Sequence, residues 1–159
     1  MELAKTMPVT IKFQKLSPAA IIPTYAHPGD AGADLVAIEQ HILAPMQRLA
    51  IPTGLAAEIP QGYEMQVRPK SSLALKHGIA VLNTPGTVDA GYRGEIKVIL
   101  INLGADPFEI TPGQRIAQII IAPVLQAEFV IAEQLSESAR GAGGFGSTGK
   151  TYGENSEFS

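Results

Sequence analysis

Val9, Ile11 and Phe13 alternate with Thr10, Lys12 and Gln14, the period of a strand with one buried face. Pro18 to Gly32 then reads as a long ordered loop, and Ala33 to Ile38 as a second strand. Leu49 to Ile51 and Leu55 to Ile59 read as two short extended pieces, broken at Pro52 and Gly54. After the turn Pro60-Gln61-Gly62, the apolar residues Tyr63, Met65 and Val67 alternate with Glu64 and Gln66. Ser71 to His77 is the one helix-like stretch, with Ser71 or Ser72 as its cap and Gly78 as its end. Ile79 to Leu82, Glu95 to Asn102 and a short Asp106 to Ile110 follow as extended segments. Thr111-Pro112-Gly113-Gln114 is a turn with proline at its second position. Arg115 to Ala122 and Glu128 to Ala132 complete the set. Short strands recurring about every 8–12 residues predict an all-β sandwich or barrel with one short helix.

Composition agrees with that pattern. The 159 residues suit one domain, and 45% hydrophobic residues supply a core. Twelve prolines and sixteen glycines favour turns over long helices. A net charge of -3 gives no general affinity for polyanions, so any anion must be held by a local site. With no cysteine, disulfides and thiolate metal sites are excluded. The longest apolar run, Ile116 to Leu125, contains Gln118 and Pro123 and is far short of the roughly 20 residues that span a bilayer. Residues 1–20 lack the apolar stretch of a secretory signal. The expectation is a soluble cytoplasmic protein.

From Ser136 onward the composition changes. The last twenty residues hold six of the sixteen glycines and almost no aliphatics, so the expected division is a β-core over 1–135 and a flexible arm over 136–159. Within the arm, Gly144 to Thr151 matches the phosphate-loop pattern G-x-x-x-x-G-K-[ST], and Gly141 to Gly146 matches G-x-G-x-x-G. Both patterns need a strand before and a long helix after, inside an α/β sheet. The chain upstream is all-β and only eight residues follow Thr151, so neither α/β family fits. Yet Arg140, Phe145, Ser147, Thr148 and Lys150 are interleaved with the glycines. A stacking ring, hydroxyls, cations and bare amides together suit a nucleotide with phosphates.

Four core stretches carry further chemistry. In TPGTVDAGYRGE, Thr84 to Glu95, Asp89 and Tyr92 stand three residues apart between glycines, and an ionised carboxylate can act as general base toward water. RPKSSLALKHG, Arg68 to Gly78, brings Lys70, two hydroxyls and free amides to a helix start, which suits an anion as well as ordinary capping. AGADLVA, Ala31 to Ala37, carries a lone Asp34 at a strand start. GQRIAQIII, Gly113 to Ile121, points Gln118 where Ile116 and Ile120 point. His27, His41 and His77 have no metal-ligand spacing.

In this order and spacing, AGADLVA, RPKSSLA, NTPGTVDAGYRGE, GQRIAQ and RGAGGFGSTG resemble the five motifs of the trimeric deoxyuridine triphosphatase (dUTPase) family. The resemblance covers nearly the whole chain. It implies a jelly-roll-like distorted barrel, a homotrimer and three active sites at subunit contacts, with no nucleic acid or membrane partner. It implies Mg²⁺-assisted hydrolysis of dUTP to dUMP and pyrophosphate, with water attacking the α-phosphorus in line. That reaction supplies dUMP for dTMP synthesis and keeps uracil out of DNA.

By the same resemblance, Asp89 orients and deprotonates the water, and Tyr92 packs beneath the deoxyribose. Asn83 and the backbone of Thr87, Val88 and Lys97 line the uracil pocket. Lys70, Ser71, Ser72 and Gln118 hold phosphates, and Asp34 stands near the metal through water. Arg140, Gly146, Ser147 and Thr148 resemble the clamp of the arm, and Phe145 the ring that stacks on uracil. Two positions depart from the family. It usually reads Pro-Arg-Ser-Gly-Leu where residues 69–73 read Pro-Lys-Ser-Ser-Leu, which loses the planar fork of arginine. A Ser-Ser-Leu stretch also occurs in the related dCTP deaminases. Those lack the glycine-rich arm and the Asp-x-x-Tyr arrangement. Deamination of dCTP and nucleotide binding without catalysis are the competing expectations.

Overall fold

The structure is a computed structural model and describes residues 8–145. Ten strands and one helix are formed among them: β1 Lys12–Lys15, β2 Ala33–Val36, β3 His41–Leu43, β4 Arg48–Glu58, β5 Tyr63–Arg68, α1 Ser71–His77, β6 Ile79–Val81, β7 Gly86–Val88, β8 Glu95–Asn102, β9 Phe108–Ile110 and β10 Arg115–Pro123. They build three antiparallel sheets, ordered β1-β4-β8-β6, β2-β10-β5-β7 and β3-β9. The chain divides into two compact units, 1–125 and 126–159.

The all-β architecture with one short helix agrees with the spacing of apolar positions. Leu35, Leu43, Ile51, Met65, Val98, Leu100, Ile110 and Ile116 are fully buried in one core. Burying each such side chain stabilises the fold by about 1.5–3 kcal/mol. The helix runs over the expected residues and ends at Gly78, whose φ of 68° is left-handed. Its N-cap, however, is Lys70 in extended conformation, with no side-chain capping bond from either serine. Ser71 and Ser72 are helical and exposed.

Four further expectations need correction. Pro52 and Gly54 do not divide the fourth strand. β4 runs through both, and the register against β8 shifts between Pro52 and Ala56 instead. A proline lacks only the N–H, so a strand can absorb it where the ladder is already irregular. β3 and β7 are additional strands of three residues each, too short to show a period. No strand forms over 128–132, where Phe129, Val130 and Ile131 are exposed. An extended segment becomes a strand only when a ladder partner takes up its backbone groups. The first strand also begins at Lys12, later than the alternation from Val9 suggests.

β1 lies against β4, with Lys12 opposite Glu58. The ammonium of Lys12 donates to the Glu58 carboxylate at 2.9 Å and holds that carboxyl below the usual carboxylate range. Both side chains are at least half exposed, so the pair adds little.

Alternation in β8 buries Ile96, Val98 and Leu100, and the same period turns Asn102 inward, where it is 0% exposed. Its amide nitrogen donates to the carbonyls of Leu43 and Asp106, each at 2.8 Å, and its oxygen accepts the Gly104 N–H at 2.8 Å. One side chain thus ties β8 to β3 and to the loop that follows β8. Asn102→Leu is expected to leave these three groups unpaired and to cost roughly 2–4 kcal/mol in chemical denaturation. A variant within measurement error of the parent would show that the three bonds are dispensable.

Candidate active site

β7 and β8 are consecutive strands, but they belong to different sheets. β7 pairs with β5, whereas β8 pairs with β4 and β6. The connection from Asp89 to Gly94 therefore crosses a seam between sheets. It makes a tight turn in which the Tyr92 N–H donates to the Asp89 carbonyl at 3.0 Å. A cleft of about 520 Å³ opens beside it, lined among others by Thr87, Val88, Asp89, Tyr92, Glu95 and Lys97. Five of these are the expected catalytic and nucleoside-binding positions. Asp89 and Lys97 are exposed, and Val88 is buried beneath them. Asn83 lies before β7, exposed, with its amide nitrogen beside Gly86 and outside the residues lining the cleft.

The Tyr92 ring is fixed by its neighbours. Its hydroxyl donates to the Glu95 carbonyl at 2.9 Å. The ring passes so close to Gly94 that a Cβ there would lie 2.5 Å from the hydroxyl oxygen. Glycine is required at 94 by close approach, and neither this contact nor the Glu95 carbonyl bond shows in the sequence pattern.

The second group of predicted residues forms where β2, β10 and the end of β5 meet. β10 places Gln118 opposite Asp34 of β2 and opposite Arg68 of β5. The Lys70 ammonium lies 2.5 Å from one Asp34 oxygen, and the Arg115 guanidinium 3.4 Å from the other. Gln118 donates to the Pro69 carbonyl at 2.9 Å, which fixes the residue before Lys70. Asp34 and Lys70 were read apart, as metal-side carboxylate and phosphate cation, and the structure joins them. Arg115 went without a role in the sequence. Its part becomes visible only once the β2–β10 register is known. Ser71 and Ser72 follow Lys70 at the start of α1.

The two groups stand apart. β5 and β7 are antiparallel, with Met65 opposite Val88 and Val67 opposite Gly86. Asp89 therefore continues β7 toward Glu64, whereas Lys70 lies beyond Arg68 at the other end of β5. Six residues of extended chain, at about 3.3 Å each, separate those levels by roughly 20 Å. The two groups therefore lie at opposite ends of β5.

The second unit carries the arm. Arg140 donates to the Gly143 carbonyl at 2.9 Å, closing a local turn, and Arg140 and Phe145 are both exposed. Gly146, Ser147 and Thr148 lie outside the described residues. Among the described residues, no cluster of three or more acidic, histidine or cysteine side chains forms a metal cage. No helix among them is long and apolar enough to cross a membrane.

Comparison with known proteins accords with this arrangement. The family model for dUTPase matches residues 19–149. A deoxyuridine 5'-triphosphate nucleotidohydrolase of Chlamydia pneumoniae is 61% identical over 140 residues, covering 86% of this chain and 97% of the relative. One from Wolinella succinogenes is 57% identical over 141 residues, covering 89% and 95%. Among solved structures, a Staphylococcus bacteriophage 80alpha dUTPase with dUpNHpp superposes with a TM-score of 0.83 at 28% identity, covering 89% of this chain and 99% of its own. The chain belongs to the dUTPase family.

The Gln118 strut yields a direct test. A Cβ at Gly32 would lie 2.2 Å from the Gln118 side-chain oxygen. Gly32→Ala is expected to push Gln118 off Pro69 and to cost roughly 1–3 kcal/mol. Adding Gln118→Ala removes the obstructing atoms, so the double variant should be less destabilised than the sum of the singles. Strict additivity in thermal unfolding would show that the two residues do not meet.

Proposed function

We propose that this protein hydrolyses dUTP to dUMP and pyrophosphate, and does so as a homotrimer whose sites are shared between subunits. The dUMP formed is the precursor of dTMP, and removing dUTP keeps uracil out of DNA. The observation that carries the reading is the exposed Asp89 carboxylate beside a cleft of about 520 Å³ that also holds Tyr92 and Lys97. The family match and relatives named for dUTP hydrolysis at 57–61% identity support the substrate.

In this reading the uracil and deoxyribose enter the cleft, where Thr87, Val88, Lys97 and the adjoining Asn83 meet the base. Tyr92 lies beneath the sugar. Asp89 orients a water in line with the α-phosphorus and takes its proton as the new P–O bond forms, and pyrophosphate leaves. Phosphoryl transfer needs positioning and charge neutralisation more than covalent help. Lys70, Ser71, Ser72 and Gln118 of a neighbouring subunit hold the phosphates, those of the same chain standing at the far end of β5. Lys70 neutralises Asp34 until phosphate draws its charge away. The arm, through Arg140, Phe145, Gly146, Ser147 and Thr148, closes the site and excludes water.

Mg²⁺, when bound with the triphosphate, neutralises phosphate charge and keeps most of its waters. A magnesium carried by its substrate needs only one or two protein carboxylates, and Asp34 fits that demand as a partner through water. The protein acts in the cytoplasm and needs no nucleic-acid or membrane partner.

The Ser71-Ser72-Leu73 stretch favours a second reading, deamination of dCTP. Incubation with dUTP or dCTP and Mg²⁺ separates the two. Pyrophosphate from dUTP without ammonia from dCTP is expected, and ammonia release would establish the deaminase. For the base itself, Asp89→Asn is expected to bind a non-hydrolysable dUTP analogue like the parent while kcat falls by about two orders of magnitude or more. Parental kcat in that variant would remove Asp89 from the reaction.

A further inference from the structure

The place of the Tyr92 ring is set by the Glu95 carbonyl that accepts its hydroxyl proton. The Glu95 side chain ties the same residue to β4. Its Oε1 accepts the N–H of Gly54 at 2.9 Å, from β4 across the sheet. Gly54 lies in the stretch of β4 where the ladder to β8 is interrupted, since Pro52 faces Lys97, Ala56 faces Glu95, and the register shifts between them. The carbonyl of Gly54 is taken by the Leu16 N–H at 2.7 Å. Its N–H lacks a β8 carbonyl and is satisfied by the Glu95 carboxylate instead, as a part-buried backbone donor must be. Thr53 closes the same gap one residue earlier, its hydroxyl donating to the Ile96 carbonyl at 2.5 Å. Lys97 stands 3.6 Å from the other Glu95 oxygen, on the open side.

We infer that Glu95 is a positioning residue for sugar selection. By anchoring the first residue of β8 to the irregular stretch of β4, it sets the height of the Tyr92 ring and so the space left at the 2′ position of the nucleotide. This rests on the reading that Tyr92 packs beneath the deoxyribose. The anchor depends on an acceptor oxygen at the right reach. The charge of Glu95 is incidental to it, and the Lys97 ammonium is too distant and too exposed to do the same work. The sugar-selecting ring is thereby coupled to a bulge in a different strand, one that touches no substrate.

The test is the ratio of kcat/KM for dUTP to that for UTP, with Tm measured on each variant. Glu95→Gln retains an oxygen that accepts the Gly54 N–H, so its ratio should stay within about twofold of the parent, as only charge is lost. Glu95→Asp keeps the charge but draws the oxygen back by one methylene, and its ratio should fall roughly tenfold or more, as misplacement of a positioning group does. Tyr92→Phe keeps the ring and loses only the bond to the Glu95 carbonyl, so its ratio should fall as well. Combining it with Glu95→Asp should add little further loss. Tyr92→Ala serves as the control on the underlying reading. An unchanged ratio in Tyr92→Ala would sink the placement of Tyr92 beneath the sugar. A lowered ratio there, with Glu95→Asp at the parental value, would overturn the inference and leave that placement intact. A loss in Glu95→Gln equal to that in Glu95→Asp would also overturn it, since an acceptor oxygen at the right reach would then not suffice to place the ring. Should Glu95→Asp not fold, Tyr92→Phe still decides, because a parental ratio in that variant means the carbonyl contact does not position the ring.

Discussion

β5 is the strand on which the rest depends. It pairs with β10 on one side and β7 on the other, and the two chemically active regions grow from its opposite ends. Its C-terminal end runs into Pro69, Lys70 and the helix start, where Asp34, Arg115 and Gln118 gather. The level of its N-terminal end is where β7 gives way to Asp89 and the turn closed by Tyr92. Because an extended chain is stiff and its ladders fix the register, these two regions are held apart. The geometry that makes each region rigid also makes each incomplete. A nucleotide has a base at one end and phosphates at the other, and the proposed sharing of sites between subunits resolves the separation.

Irregular backbone is placed where chemistry is needed. The crossing from β7 to β8, the shifted register in β4 and the shift between Arg115 and Ala117 in β10 are the three departures from regular pairing near the candidate site. In β4, side chains supply what the ladder omits. Glu95 and Thr53 satisfy the gap in β4, and Arg115 reaches Asp34 from its bulge. Close approach of glycine does similar work, with Gly32 yielding to Gln118 and Gly94 to Tyr92. Strength elsewhere comes from the alternating apolar faces of β8 and its neighbours, with Thr53 and Asn102 as the buried polar ties among the described residues.

Much of this was legible in the sequence. Alternation revealed β5, β8 and β10, and turn residues marked their ends. The helix over 71–77 followed from a polar start and Gly78. The five stretches with chemistry were visible because glycines, charges and hydroxyls cluster between apolar runs, and their order matched one family. The rest required three dimensions. β3 and β7 are three residues long, and no period can be seen in so few. Continuity of β4 through Pro52 and Gly54 depends on a partner that tolerates the bulge. The Asp34–Lys70–Arg115 group draws on three distant stretches, and opposite charges far apart in sequence give no hint of register. Glu95 shows in the sequence only as the first residue of an extended segment, because its role depends on an N–H of Gly54 forty-one residues away.

Asp89 and Lys70 are proposed to act on one substrate from different chains. Mixing Asp89→Asn chains with Lys70→Ala chains, after unfolding and refolding together, tests it most directly. Each variant alone should be severely impaired. At equal mixing, random trimers should regain activity at about a quarter of their sites, where an intact Asp89 of one chain meets an intact Lys70 of another. Mixed trimers verified by mass that show no more activity than the two variants measured separately would contradict the account, because Asp89 and Lys70 would then have to come from the same chain.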